Sequence, residues 1–407
     1  MALLAWPLIV WRGSTNYTWD EQNYYVPAIQ RIRTHWPQVD LSGDSLSATA
    51  PGFAHFLAGV SLLTGDSLLA LRSITFAVSA GVLVTCWWYR PKGASMSLVF
   101  WSLAPLACSN FFIKSSAHVV TDNPALLCVV FALAGLFFAP PSWGAIGGLA
   151  SAAATWVRQS SFWLAGPLVV RALAARGWSA KFAGLLAIIP SVLVLAVLWH
   201  AWGGLVPPSW REANMAKGTD APAAIAYLLA VFGILGLPFA IAARPMAHWK
   251  SELGWPGLAG GIIGLSMALA GPNAPDYTAG HWGGYLWLVA AHLPAWHERS
   301  LLLLVLAPLG GAVIGAMVHH LRRSHQSGAA LTWLSAIAAF AAASAFNREV
   351  FQRYFEPPAL VLLAFWLFLS VGSASANRTD VRPLIALTTV QLMITLVTAH
   401  GRTFGLL

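Results

Sequence analysis

AAIAYLLAVFGILGLPFAIAA, residues 223–243, runs for 21 positions without a charged side chain. A helix needs ~20 such residues to cross a hydrocarbon core of ~30 Å. Similar runs precede it at 1–11, 67–89, 95–113, 123–139, 144–157, 160–174 and 182–201, and follow it at 254–271, 301–318, 329–346, 356–372 and 383–399. Read between their Gly, Pro and charged breakers, these segments predict an all-α, polytopic transmembrane helical bundle of about thirteen crossings. No soluble domain of useful size fits between them, so residues 1–407 are read as a single transmembrane domain. The stretch 51–64 is apolar but short and opens on Pro51-Gly52, which marks it as re-entrant or interfacial.

Composition agrees. The 407 residues are 58% hydrophobic and 9% charged, whereas soluble domains carry about 25% charged residues. Mean hydropathy is +0.67. The 21 Trp and 24 Pro suit interfacial belts and membrane helices. A net charge of +9 raises nucleic acid as a partner, but the Lys and Arg are dispersed over short loops rather than gathered in a stripe. Cys86, Cys108 and Cys128 fall in or near apolar segments without Cys-x-x-Cys spacing, which points to core residues rather than disulfides or a metal site. Met1 to Trp11 has the look of a signal h-region, yet Arg12 follows with no small-residue cleavage site, so it is read as the end of a first membrane helix.

Lys and Arg in short loops mark the cytoplasmic side. Arg90 and Lys92, Arg171, Arg176 and Lys181, Arg244 and Lys250, Arg322 and Arg323, and Arg378 and Arg382 all fall on one face by this segmentation. The opposite face receives 12–50, 114–122, 202–222, 272–300 and 347–356, with most of the acidic residues and several Trp, His and Tyr. A channel or carrier usually keeps its polar groups at mid-membrane in two similar halves. Here no internal repeat is visible and the polar groups gather at helix ends on one side. That pattern favours an enzyme that holds a lipid in the bilayer and works at the surface.

Four constellations on that face carry chemistry. Trp19-Asp20-Glu21 opens the first loop, and the following Tyr24-Tyr25-Val26-Pro27-Ala28-Ile29-Gln30-Arg31 reads as a short amphipathic helix with Tyr25, Ile29 and Ile32 on one face. Asp20 is read either as that helix's cap or as a general base. Ser115 to Pro124 holds His118 and Asp122 at the start of a helix, where Asp122 is a cap or a second carboxylate of the site. Arg158, in Trp156-Val157-Arg158-Gln159-Ser160-Ser161, is a charge stranded between apolar runs. Such a residue has either a phosphate ligand, which suits its planar fork, or a structural carboxylate partner. Asn347 to Pro358 places Arg348 and Arg353 where the charge rule disfavours them, so they either hold phosphate or pair with Glu349 and Glu356. Trp202, Trp210, Trp282, Trp287 and Trp296 serve sugar stacking or the membrane belt. His281, His292 and His297 share a loop with Asp276 and Glu298, but none has a zinc spacing, so no metal is expected.

In this order the motifs resemble the multi-spanning glycosyltransferases of the GT-C class, and within it the dolichyl-phosphate-glucose alpha-1,2-glucosyltransferase family of lipid-linked oligosaccharide synthesis. That family's Asp-Glu pair, with Pro and Gln after it, is matched by Asp20, Glu21, Pro27 and Gln30. Its Thr-x-x-Pro-Gly element is similar to Ala48-Thr49-Ala50-Pro51-Gly52, and its Leu-Arg-Ser helix start to Leu71-Arg72-Ser73. Further on, Thr121-Asp122 stands for its Thr-Glu, Arg158-Gln159-Ser160-Ser161 for its Arg-Gln-Thr-Asn, Gly203-Gly204 for its Gly-Gly, and Arg353-Tyr354-Phe355-Glu356-Pro357 for its Arg-Tyr-Phe-x-x-Pro. Asp20 to Pro27 is one residue longer than in the family, a Tyr replaces a His, and Pro207-Pro208 replaces a Gly-Asp.

The resemblance implies an inverting transfer of a hexose, glucose by the family's donor, from a polyprenyl phosphate sugar to a lipid-linked or surface glycan. It implies Asp20 as base with Glu21 and Asp122 in reserve, and Arg158, Arg348 and Arg353 at the donor phosphate. Gln159, Tyr354, Trp210 and His281 are the expected substrate contacts, with no metal or cofactor. The Ala-, Gly- and Trp-rich composition and short loops look bacterial, which implies an inner membrane, an undecaprenyl-type lipid and a site facing the periplasm or exterior. A transporter or flippase of a lipid-linked sugar is the rival reading.

Overall fold

The computed structural model describes residues 18–39, 41, 47–138, 144–175, 177–215, 221–243, 249–274, 282–346, 349–371 and 379–403. The expected helix at 1–11, and the site candidates His281 and Arg348, lie outside them. The chain is mostly helical. Among the described residues seven helices are long and apolar enough to cross a membrane, at 68–88, 178–202, 221–243, 301–323, 327–345, 352–371 and 382–400. An eighth results if Met96–Ala107 and Asn110–Ala117 are counted as one broken span. Such helices identify a membrane protein.

Among the described residues, the other expected segments form shorter or interrupted helices. The segment at 122–137 is 16 residues long, which rises only about 24 Å against a core of ~30 Å. That at 144–157 has 14 residues. The expected 160–174 breaks into a 3₁₀ turn, Gln159–Leu164, and a ten-residue helix, and 249–269 kinks at Gly254 (φ +33°), two residues before Pro256. Within the stretch read as re-entrant or interfacial, residues 52–64 form a helix of 13 residues.

Helices are numbered in chain order as α1 (Val26–Thr34), α2 (Gly52–Thr64), α3 (Leu68–Trp88), α4 (Met96–Ala107), α5 (Asn110–Ala117), α6 (Asp122–Phe137), α7 (Gly144–Val157), α8 (Ala165–Ala174), α9 (Trp178–Leu186), α10 (Ile189–Trp202), α11 (Pro208–Met215), α12 (Ala221–Ala243), α13 (Trp249–Leu269), α14 (Tyr285–His292), α15 (Leu301–Arg323), α16 (Ser327–Ala345), α17 (Gln352–Val371) and α18 (Arg382–Thr403). A π-helical turn, Glu21–Tyr25, leads into α1. Contacts group the described residues into two compact units, one within 1–88, 107–217 and 391–407, the other within 89–106 and 218–390.

In the first unit α1 is amphipathic as its sequence predicts, with Val26, Ile29 and Ile32 buried against Phe53, Leu57, Leu71, Val119 and Val157. Polar side chains fasten the helices to one another, as apolar contact alone does little to favour helix association in lipid. The Asn123 amide lies 2.9 Å from Ser79 Oγ on α3, and 2.9 Å from Phe112 O and Ser116 Oγ on α5. Ser191 on α10 donates to Ser151 on α7 at 2.9 Å.

The second unit relies on small residues. On α15, Gly310 abuts the Leu229 carbonyl of α12, while Gly311 and Gly315 abut the carbonyls of Gly260 and Pro256 on α13. Backbones approach this closely only where no Cβ intervenes. A methyl at Gly310 collides with backbone, whereas one at Gly328, at the start of α16, meets nothing within 4 Å. Gly310→Ala is therefore expected to lower the melting temperature in detergent by an overpacking cost of about 1–3 kcal/mol or more, and Gly328→Ala to leave it near wild type. Equal melting curves for the two variants would contradict this packing.

Candidate functional site

The site in the first unit is built on a buried carboxylate. Glu21 is 0% exposed, at the first position of the π-helical turn. Its Oε1 accepts from Arg72 Nε at 2.9 Å and from the Val119 N–H at 2.8 Å. Its Oε2 accepts from Arg72 Nη2 at 2.6 Å, and from the N–H and hydroxyl of Thr18 at 2.9 and 3.1 Å. His118 Nδ1 lies 3.8 Å from the same oxygen. Burial pushes the carboxyl upward, but the Arg72 bond, the Thr18 and Val119 N–H groups and the His118 charge outweigh it, holding it below its ordinary value. Glu21 thus ties the first loop to α3 and to the turn before α6, closed off from solvent.

Arg72 was visible in the sequence only as part of a Leu-Arg-Ser string. The signal that identifies its task is the one that singled out Arg158, a guanidinium in an apolar helix that needs a partner.

One residue earlier, Asp20 is half-exposed and makes no side-chain capping bond to the helix it precedes. Asp122 does not cap α6 either, because Thr121 occupies the cap position and Asp122 is the first helical residue. Its carboxylate instead pairs with Arg158, whose backbone is extended (φ −143°, ψ 113°) between α7 and the 3₁₀ turn. The two side chains are 17% and 12% exposed for Arg158 and Asp122. Of the two readings of Arg158, the pairing with a carboxylate is the one the structure contains.

Thr121 connects this pair to a cavity. Its hydroxyl lies 3.3 Å from the Tyr25 hydroxyl, and both residues line a space of about 40 Å³ shared with Arg31, Ser47, Thr49 and Ala50. Gln159 holds the segment that contributes Thr49 and Ala50 to this lining, with an amide bonded to backbone groups. It accepts from Ala50 N–H at 2.9 Å and donates to the Ala48 and Leu205 carbonyls at 2.7 and 3.0 Å. The Gly203-Gly204 pair has a local task too. Gly203 ends α10 in the left-handed conformation (φ +65°) that leaves room for the Arg211 guanidinium, which donates to the Trp202 carbonyl. Trp210, on α11, meets the ring of Tyr24.

Arg353 and Tyr354 belong to the second unit and form a cluster of their own. The Arg353 guanidinium lies 5.3 and 4.9 Å from the ring centres of Phe351 and Tyr354 and donates to the Tyr354 hydroxyl at 2.7 Å. That hydroxyl donates to Glu349 at 3.3 Å. Behind it, Gln352 bonds Glu356 at 2.7 Å and accepts from Leu286 N–H and Tyr227 hydroxyl at 3.0 and 3.2 Å. Glu356 also accepts from the Tyr285 hydroxyl. Glu356 thus belongs to an internal network with Gln352 and Tyr285. Among the described residues no group of three or more His, Cys, Asp or Glu is placed to hold a metal ion.

No protein-family model matches the chain, and no match is found among curated proteins or solved structures.

The Glu21–Arg72 pair generates a pH prediction. A carboxyl held below its ordinary 4.5 contributes stability that is complete above that pH and is lost as pH falls through the lowered value. Wild type should lose melting temperature in acid more steeply than Glu21→Gln/Arg72→Met. At neutral pH Arg72→Met alone leaves a bare buried carboxylate and should cost about 3–5 kcal/mol, with the double variant recovering part of the loss. Parallel acid profiles for wild type and double variant would contradict the assignment.

Proposed function

We propose that the protein is an inverting glycosyltransferase that moves a hexose, glucose by its resemblance, from a polyprenyl phosphate sugar to a lipid-linked or surface glycan. The observation that carries this reading is the Asp122–Arg158 pair. A guanidinium that keeps some exposure within an apolar helical protein, one chain position from a carboxamide framing a hydroxyl-lined cavity, is able to trade its carboxylate for a lipid phosphate. The fork of Arg binds phosphate bidentately. A transporter site is instead expected at mid-membrane, whereas these groups sit at helix ends.

In this reading Asp20 removes the proton of the acceptor hydroxyl, and the oxygen attacks the anomeric carbon. The bond from that carbon to the phosphate oxygen breaks with its electron pair, configuration inverts, and polyprenyl phosphate departs beside Arg158. Charge developing on the phosphate is stabilised more strongly in a water-poor site than in water. Glu21 positions Asp20 rather than sharing its chemistry. The proposal carries with it a GT-C-like arrangement of about thirteen crossings, counting the shorter helices, and an inner-membrane site on the non-cytoplasmic face.

Asp20→Asn should reduce transfer at least about 100-fold, within the contribution typical of a positioned base, while the protein melts as wild type. Retention of more than about a tenth of the turnover would exclude Asp20 as a base of that strength. Arg158→Lys keeps charge but loses the planar fork, so donor binding should weaken with stability retained. Unchanged donor binding with a lower melting temperature would remove Arg158 from the phosphate and transfer that role to Arg353.

Sidedness is tested separately. In a background without Cys86, Cys108 and Cys128, a cysteine at the exposed Ala295 should react with an impermeant maleimide from outside, and one at the exposed Ser327 only after the membrane is opened. The reverse pattern would put the chemistry on the cytoplasmic side.

A further inference from the structure

The π-helical turn presents a second surface beside Asp20, distinct from the cavity. Trp19 is 66% exposed, yet its ring is fixed 4.9 Å from that of Tyr24 at an interplanar angle of 88°. Tyr24 in turn meets Trp210 at 5.1 Å and 72°. In each pair the edge of one ring meets the face of the other, so Tyr24 acts as a wedge that sets the spacing of two indoles contributed by separate segments. Gln22 and Asn23 are exposed on the same turn, and the Asn23 amide donates to the Trp19 carbonyl at 2.8 Å. Asp20, half-exposed, stands between Trp19 and this turn.

Three occupants suit an exposed indole here, and the neighbours discriminate among them. Acyl chains fit poorly, since burying Asp20, Gln22 and Asn23 against hydrocarbon leaves polar groups unsatisfied at a cost of several kcal/mol each. An anion meets the charge of Asp20. A neutral sugar ring matches all of them, because its C–H face packs on an aromatic ring while the hydroxyls at its rim bond carboxylate and carboxamide. We infer that Trp19, Tyr24 and Trp210 form a platform for a neutral hexose of the acceptor glycan, presenting a hydroxyl of that sugar to Asp20. The inference rests on the transferase reading and names its acceptor side.

Two measurements test it. With purified protein in lipid nanodiscs, Trp19→Ala should raise the acceptor KM by about tenfold while leaving donor affinity and melting temperature unchanged, and Trp19→Phe should restore part of the loss. A loss of kcat with acceptor KM unchanged would overturn the platform. Independently of turnover, intrinsic tryptophan fluorescence of wild type should change on titration with soluble neutral trisaccharides of glucose, mannose or galactose, and the change should vanish in Trp19→Ala. Brominated lipids should quench Trp199, which is 59% exposed near the C-terminal end of the apolar span 178–202, more than Trp19. Equal lipid quenching with no saccharide response would make Trp19 a membrane-belt residue and sink the proposal. A saccharide response in a protein that forms no product would keep the platform and remove the transferase reading.

Discussion

A guanidinium and a carboxylate, Arg72 and Glu21, are both closed off from solvent and joined by two hydrogen bonds. Neither charge is tolerable in that position alone, since an unpartnered buried ion costs several kcal/mol. Each therefore dictates where the other must lie. The pair fixes the start of the first loop on α3, and the Val119 N–H extends the same anchor to the turn before α6. Tyr25 then reaches Thr121, Asp122 begins its helix within reach of Arg158, and Asp20 is left half-exposed. One buried interaction thus determines which of two adjacent acids is enclosed and which is half-exposed.

The helical membrane character was legible from hydropathy, and seven predicted segments coincide with full-length spans. Which of them face lipid was not, because hydropathy scores a helix facing lipid and a helix facing other helices alike. Most of α17 is enclosed, with 89% of its apolar window buried, whereas the span 178–202 is 17% buried. Both read as one apolar run. The short helices at 122–137 and 144–157 were visible as runs too, but their ends are set by Asp122 and Arg158, whose partners lie far away in sequence.

The site was legible as residue types and not as pairings. Arg158 and Asp122 were both conspicuous, each with a ligand reading and a structural one, but 36 positions separate them and nothing local announces their bond. Asp20 and Glu21 are indistinguishable in a sequence string. Their difference arises because the π-helical turn aims Glu21 inward toward Arg72, while its neighbour falls on the rim. Gln159 was conspicuous through its position after Arg158, and its amide proves to hold three backbone groups.

These features describe a membrane protein with a buried carboxylate, a partly exposed ion pair, a small hydroxyl-lined cavity and an aromatic surface in one unit. The proposed lipid-linked sugar transfer gives each of them a use. The most direct test is to reconstitute the purified protein in vesicles with a polyprenyl phosphate hexose and a lipid-linked glycan acceptor, and to analyse the lipids by mass spectrometry and linkage analysis. The account predicts an acceptor extended by one hexose, joined with inverted anomeric configuration. Hexose lipid that crosses the bilayer with no new glycosidic bond would contradict it.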